Sequence, residues 1–152
     1  MISCRNISKE FSQVSVLKDI SLEVKTKEIV CITGESGAGK STLLHIVGTL
    51  LSPSSGELKI AGEDATKLQG NKLSAFRNKH LGFVFQFHQL IAELSAVENA
   101  MLPMLISGLK RSIAEKEAQD RLAYLGLEHR FSHKPGQLSG GEQQRVSIAR
   151  AL

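Results

Sequence analysis

The residues from Gly34 to Ser41, G-E-S-G-A-G-K-S, fit the pattern G-x-x-x-x-G-K-[ST], the spacing of a loop that holds phosphate. Glycines at 34, 37 and 39 permit positive φ and close backbone approach, so successive N–H groups can turn inward on an anion at the positive end of the following helix. In such a loop Lys40 reaches the β and γ phosphates of a nucleotide such as ATP, and the Ser41 hydroxyl ligands Mg²⁺. The candidate nucleotide contacts are Gly34, Glu35, Ser36, Gly37, Ala38, Gly39, Lys40, Ser41 and Thr42. The bland alternative is a glycine-rich turn ahead of a helix, but the fixed positions match by chance in only about 0.5% of chains of this size and average composition.

A second constellation lies near the end of the sequence. Ser139-Gly-Gly-Glu142 is a capping box, Ser at the N-cap and Glu three residues on, opening the apolar-periodic run Val146, Ile148, Ala149, Leu152. The two glycines inside it weaken a helix start by roughly 1 kcal/mol each unless the backbone must approach something. An anion at an exposed, positive helix end supplies that reason, which makes Ser139, Gly140, Gly141 and Glu142 a second candidate site.

The elements that must position these groups are legible as periodicities. Glu28 to Thr33, E-I-V-C-I-T, is a short apolar β-branched run suited to a buried parallel strand, and the residues after Lys40 carry Leu43, Leu44, Val47, Leu50 and Leu51 at helical spacing. Met1 to Ile7 and Ile20 to Val24 alternate like half-buried strands, and Leu58 to Ile60 follows the turn signal S-P-S-S-G. Leu81 to Phe85 reads as a further buried strand, which sets Gln86 at the carboxyl edge where open α/β sheets bind ligands; a surface loop glutamine is the alternative. The expected class is α/β: a P-loop NTPase core with an antiparallel β flank over 1–89, a helical subdomain over 90–137, and the second motif with its helix over 138–152.

Capping boxes at Ser95–Glu98 and Ser112–Glu115 head the two helices expected in the subdomain. The first carries Val97, Ala100, Met101, Met104 and Leu105 on one face, with Pro103 expected to kink it or end it early. That stripe is ordinary core or, because methionine adapts its shape, a surface that repacks against a moving partner. The second carries Ala118, Leu122 and Leu125 on one face, with Glu117 and Arg121 spaced to pair.

Other residue classes exclude more than they propose. The net charge of +4 is partly concentrated between Lys67 and His80 and is what exposed helices carry, so no nucleic-acid partner is inferred. Cys4 and Cys31 lie in apolar runs and read as small buried thiols. His129 and His133 are four apart, but Pro135 and Gly136 argue for a loop and no further ligand completes a metal site. No stretch has the length of a membrane span and no signal peptide precedes Ile2, so the expectation is a cytosolic protein.

The phosphate loop followed by Leu138-Ser-Gly-Gly-Glu-Gln-Gln-Arg145 resembles the ATP-binding cassette (ABC) proteins, whose signature motif presents its Ser and glycines to the γ-phosphate of ATP held on the loop of a second subunit. The resemblance implies a homodimer with sandwiched nucleotides, in which Ser139, Gly140 and Gly141 act in trans. It implies that Gln86 touches Mg²⁺ and the attacking water, that the loop after it meets integral-membrane transporter subunits, and that Phe11 stacks on adenine; Phe11 as a core or edge-strand residue is the competing reading. Phe83-Val-Phe-Gln-Phe-His-Gln-Leu90, Glu93, Glu98-Asn99, His129-Arg130, His133 and Pro135 are similar to the ATPases of bacterial lipoprotein-releasing (Lol) systems, a texture shared in part with macrolide-export and cell-division ATPases. That likeness implies a peripheral protein on the cytoplasmic face of the inner membrane. Ile91-Ala92 in place of Leu-Pro, and Phe11 in place of Tyr, depart from the Lol pattern.

Proteins of the resembled family continue past the signature helix into a Walker B strand that supplies a Mg²⁺-holding Asp and a water-polarising Glu, and then a switch histidine. The sequence stops at Leu152, inside that helix, so no catalytic residue is assigned within it. The expectation is that these 152 residues expose an apolar edge, aggregate readily, bind nucleotide weakly and do not hydrolyse it. A short, non-hydrolysing nucleotide-binding protein is the competing class. A chromosome-structure or DNA-repair ATPase is disfavoured, because no sustained heptads separate Lys40 from Ser139.

Overall fold

Strand alternation at the amino terminus is interrupted where Cys4 and Ile7, both buried, stand three residues apart instead of two. The extra residue is a β-bulge: the register shifts between Cys4 and Ile7, and Asn6 adopts φ 50°. The amides it displaces are met by side chains, Asn6 N–H donating to Ser21 Oγ at 2.9 Å and Asp19 N–H to Ser8 Oγ at 3.0 Å. This strand, β1 (Ile2–Phe11), belongs to a computed structural model that describes residues 1–152 as two units, Met1–His80 and Leu81–Leu152.

In the first unit β1 pairs antiparallel with β2 (Val14–Val24) and β3 (Ser55–Ile60), and β3 with the short β4 (Glu63–Asp64), giving the order β2-β1-β3-β4. Cys4, Ile7, Leu17, Leu58 and Ile60 are the buried residues of this sheet. Helix α1 (Lys40–Val47) buries Leu43 and Ile46. It ends at Gly48 and does not continue to Leu51 as its spacing suggests, because Thr49 turns left-handed at φ 59° and the Leu50 and Leu51 amides close back on His45 O. Helix α2 (Gly70–His80) buries Phe76 and is tied to that turn by Arg77, which donates to Thr49 Oγ1 at 3.1 Å and to Thr49 O at 2.9 Å.

The two runs expected as buried strands, Glu28–Thr33 and Leu81–Phe85, carry no ladder. An apolar β-branched run becomes a strand only when a neighbour accepts its hydrogen bonds, and every strand of the sheet is antiparallel and drawn from the flank. The result is an exposed apolar segment, with Ile29 97% exposed, and Cys31 is exposed where a buried thiol was expected. Cys4 is buried as expected, and burial pushes its thiol pKa up.

The second unit is helical: α3 (Ala96–Ile106), α4 (Arg111–Tyr124) and α5 (Gly140–Ala151) pack on one another. Ala96, Val97, Ala100, Met101 and Met104 of α3 meet Ala114, Ala118 and Leu122 of α4 and Val146 and Ala149 of α5 in a single core. The methionine stripe is therefore core and not a partner surface. Helix α3 has the capping box at Ser95–Glu98 but runs through Pro103 to Ile106 without ending at the proline. Helix α4 starts two residues earlier than expected, at Arg111 after Lys110, and lacks the Ser112–Glu115 box.

Candidate functional site

The loop from Gly34 to Gly39 leads into the first turn of α1, with positive φ at 146°, 81° and 85° for Gly34, Gly37 and Gly39. Gly39 is required by space as well as by φ: a Cβ there would lie 2.8 Å from Leu17 Cδ2 and 3.0 Å from Val16 O, so the loop is seated against β2. Gly37 faces open space, with nothing within 4 Å of its would-be Cβ. One turn bond, Ala38 N–H to Glu35 O at 3.3 Å, shapes the loop, and the amides of Gly37, Gly39, Lys40 and Ser41 are left without backbone partners at the positive helix end. The Lys40 ammonium folds over the mouth and donates to Gly34 O at 2.9 Å and to Glu35 O. An anion inside this ring meets amide dipoles, a helix terminus and a cation that needs only to exchange carbonyl acceptors for phosphate oxygens.

At the start of α5, Ser139 is the N-cap in an extended conformation and its Oγ accepts the Glu142 amide at 3.3 Å, while Glu142 Oε2 accepts the Ser139 amide at 2.7 Å. Glu142 Oε1 accepts Arg130 Nε at 2.7 Å. These donors, the Ser139 amide first, hold the Glu142 carboxyl down to about 2. Both capping-box bonds and the ion pair are internal, so the motif arrives already ordered. Gly140 and Gly141 are exposed, without side chains and with their amides unbonded. Ser139, Gly140, Gly141 and Glu142 thus share one helix end, at which the Gly140 and Gly141 amides have no backbone partner.

Gln86 is exposed in a turn of the second unit. The two residues after its neighbour Phe87, His88 and Gln89, both have φ 48°. Phe11 is the last residue of β1, an interior strand, with 45% of its surface exposed and the Lys9 ammonium 5.0 Å from its ring centroid, so it is neither a core nor an edge-strand residue. His129 and His133 fall in a 3₁₀ turn and the loop after it, and no group of three His, Cys, Asp or Glu is placed to hold a metal.

The ABC transporter family model matches residues 17–152. The chain belongs to the ABC transporter family. It is 52% identical over 152 residues to the lipoprotein-releasing system ATP-binding protein LolD of Bacteroides fragilis, an alignment covering 100% of this chain and 70% of that protein. It is 55% identical over 141 residues to LolD of Geobacter metallireducens, covering 93% and 63%. Among solved structures, the dimeric structure of a bacterial ABC transporter cassette superimposes with a TM-score of 0.92 at 40% identity, covering 100% of this chain and 69% of that one. A post-hydrolysis cassette bound to ADP and Pi superimposes with a TM-score of 0.90 at 41% identity.

Within this ABC chain, three polar side chains that the motif reading passed over organise the candidate site of the second unit. Arg130, quoted above only as texture, is the partner of Glu142. Asn99, fully buried, accepts the Ile91 amide at 2.8 Å and donates to Ile91 O, Leu94 O and Ser95 O, so it holds the loop that leads from Gln86 into α3. Arg150 donates to His88 O at 2.8 Å and Gln89 O at 2.7 Å. A buried asparagine in an apolar helix face is a signal the sequence does carry; the acceptors of the two arginines, being backbone carbonyls or a distant carboxylate, leave no pattern to find.

Proposed function

We propose that this chain is the ATP-binding subunit of an ABC transporter that releases lipoproteins from a membrane. The observation that supports the reading is the glycine loop ahead of α1, with the Lys40 ammonium on the Gly34 carbonyl, in a chain about half identical to LolD over its whole length. The identity with LolD favours the lipoprotein-releasing reading over macrolide-export and cell-division systems.

In this reading Gly34 to Thr42 bind the triphosphate of ATP through amides and the Lys40 ammonium, and Phe11 presents its exposed face to adenine. Mg²⁺ prefers one or two protein oxygens plus phosphates to a protein cage, and the family likeness assigns it the Ser41 hydroxyl, in the first turn of α1, and the Gln86 amide oxygen. When bound, Mg²⁺ neutralises charge on the phosphates. Ser139, Gly140 and Gly141 present their helix end to the nucleotide of a second copy, so the functional form is a dimer. No helix is long and apolar enough to cross a membrane, and in this reading the chain attaches through integral-membrane partner subunits.

Hydrolysis belongs to the full-length family member, and these 152 residues alone are assigned binding without turnover. The test is calorimetric titration with ATP and Mg²⁺, beside Lys40→Ala, together with a lipoprotein-release assay using the membrane subunits in vesicles. Loss of one charge-assisted set of hydrogen bonds weakens ATP binding by roughly 10- to 100-fold. Equal affinity in wild type and Lys40→Ala, or steady turnover by the 152 residues, overturns the assignment.

A further inference from the structure

The candidate motif at one end of α5 and the segment after Gln86 are joined by a polar clamp at the other end of the same helix. Arg150, in the last turn of α5, spreads its guanidinium over two consecutive carbonyls, Nη2 to His88 O at 2.8 Å and Nη1 to Gln89 O at 2.7 Å. Both of those residues stand at φ 48°, a conformation that L side chains seldom adopt singly and that here occurs twice in a row. Strained backbone of this kind persists only where its surroundings over-determine it. The forked guanidinium supplies that constraint because it has two parallel donors, which a point charge lacks. Contact continues upstream, where Gly82 passes so close to Ala151 O that no Cβ fits between them.

The rod itself is firm. Val146, Ser147 and Ala149 bury α5 in the core of the second unit, and the Ser147 hydroxyl is absorbed by Gln144 O at 3.0 Å. Ten residues of helix lie between Ser139 and Arg150, which puts them about 16 Å apart at the helical rise. Asn99 fixes the far side of the same segment, from Ile91 to Ser95.

We propose that Arg150 is a positioning residue: it ties the His88–Gln89 backbone to the signature helix, so that Gln86 and the Ser139 end of α5 move as one piece when nucleotide engages either. This rests on the ATPase reading above. Arg150 touches no nucleotide in this scheme; it sets where Gln86 stands and thereby the rate of the chemical step, not the strength of ATP binding.

The experiment uses the full-length chain with its membrane subunits and compares wild type, Arg150→Gln, Arg150→Lys and Lys40→Ala for ATPase kinetics, fluorescent-nucleotide affinity and melting temperature. If wild type shows no turnover that Lys40→Ala abolishes, the ATPase reading itself fails. Given that turnover, the expected result is a kcat roughly 10- to 100-fold lower in Arg150→Gln, as for a misplaced catalytic group, with ATP affinity unchanged within about twofold. Arg150→Lys, which keeps charge but only one donor point, falls between. Hydrogen exchange at the Phe87, His88 and Gln89 amides rises in both variants. Unchanged kcat in either folded variant, or kcat, affinity and melting temperature falling together, overturns the proposal. Should Arg150→Gln not fold, Arg150→Lys decides on the same criteria.

Discussion

Arg130 and Glu142 form a 2.7 Å ion pair in which the Arg130 Nε proton meets Glu142 Oε1, leaving Glu142 Oε2 to hold the Ser139 amide. One carboxylate therefore anchors the Ser139 backbone and is itself anchored from outside the helix. Only 12% of the Glu142 side chain is exposed, so water competes poorly for either bond. The first box of the unit repeats the design more loosely, with Glu98 on the Ser95 amide at 3.0 Å and Arg111 at 3.4 Å from its other oxygen.

The pH dependence follows from that arrangement. An unfolded glutamate titrates near 4.5, and the folded Glu142 near 2. Because the folded value is the lower one, the stabilisation is complete above about pH 4.5, declines as pH falls through that window and is gone below about 2. The difference in melting temperature between wild type and Glu142→Gln should be constant from pH 7 to 5 and shrink steadily as the buffer is taken from pH 4.5 towards 2.

Two glycines of the phosphate loop should separate stability from binding. Gly39→Ala incurs the left-handed cost of about 1–2 kcal/mol and in addition drives a methyl into Val16 O and Leu17, so urea unfolding should show the larger loss. Gly37→Ala incurs the backbone cost alone, its methyl entering the open space assigned to phosphate. It should therefore lose ATP affinity out of proportion to its stability; equal stability losses in the two variants would contradict the seating of the loop on β2.

Asn99→Leu should cost about 2–4 kcal/mol, because it strands the Ile91 amide and the carbonyls of Ile91 and Leu94 around an apolar side chain. Denaturant midpoint measures this, and hydrogen exchange should locate the loss in residues 91–95.

Met101→Asp tests the core assignment of the methionine stripe against the partner-surface reading. A surface residue would tolerate the change, whereas Met101, 1% exposed in the three-helix core, leaves an unpaired charge among Val97, Leu122 and their neighbours. The folded protein should be lost from the soluble fraction, and Met101→Ala should cost roughly 2–5 kcal/mol in unfolding experiments.

Sequence alone determined the groups whose chemistry is local. A phosphate loop is encoded within eight residues by glycines that permit its φ values and a lysine that must follow them, and a capping box within four, so Gly34–Ser41, Ser95–Glu98 and Ser139–Glu142 all stand where their spacing places them. The ABC family and the helical face of Val97, Ala100, Met101 and Met104 were legible for the same reason, a period set by short-range geometry. Tertiary structure decided what depends on partners far along the chain. Glu28–Thr33 has a strand's composition but no ladder, since hydrogen bonds come from a neighbour and not from propensity; the apparent Ser112 box yields to a helix that begins at Arg111, and Pro103 is carried through by the burial of Met101 and Met104. The clamps made by Arg130 and Arg150 exist only because folding brings them to a carboxylate 12 residues away and to carbonyls 61 and 62 residues away, acceptors that no local pattern could have named.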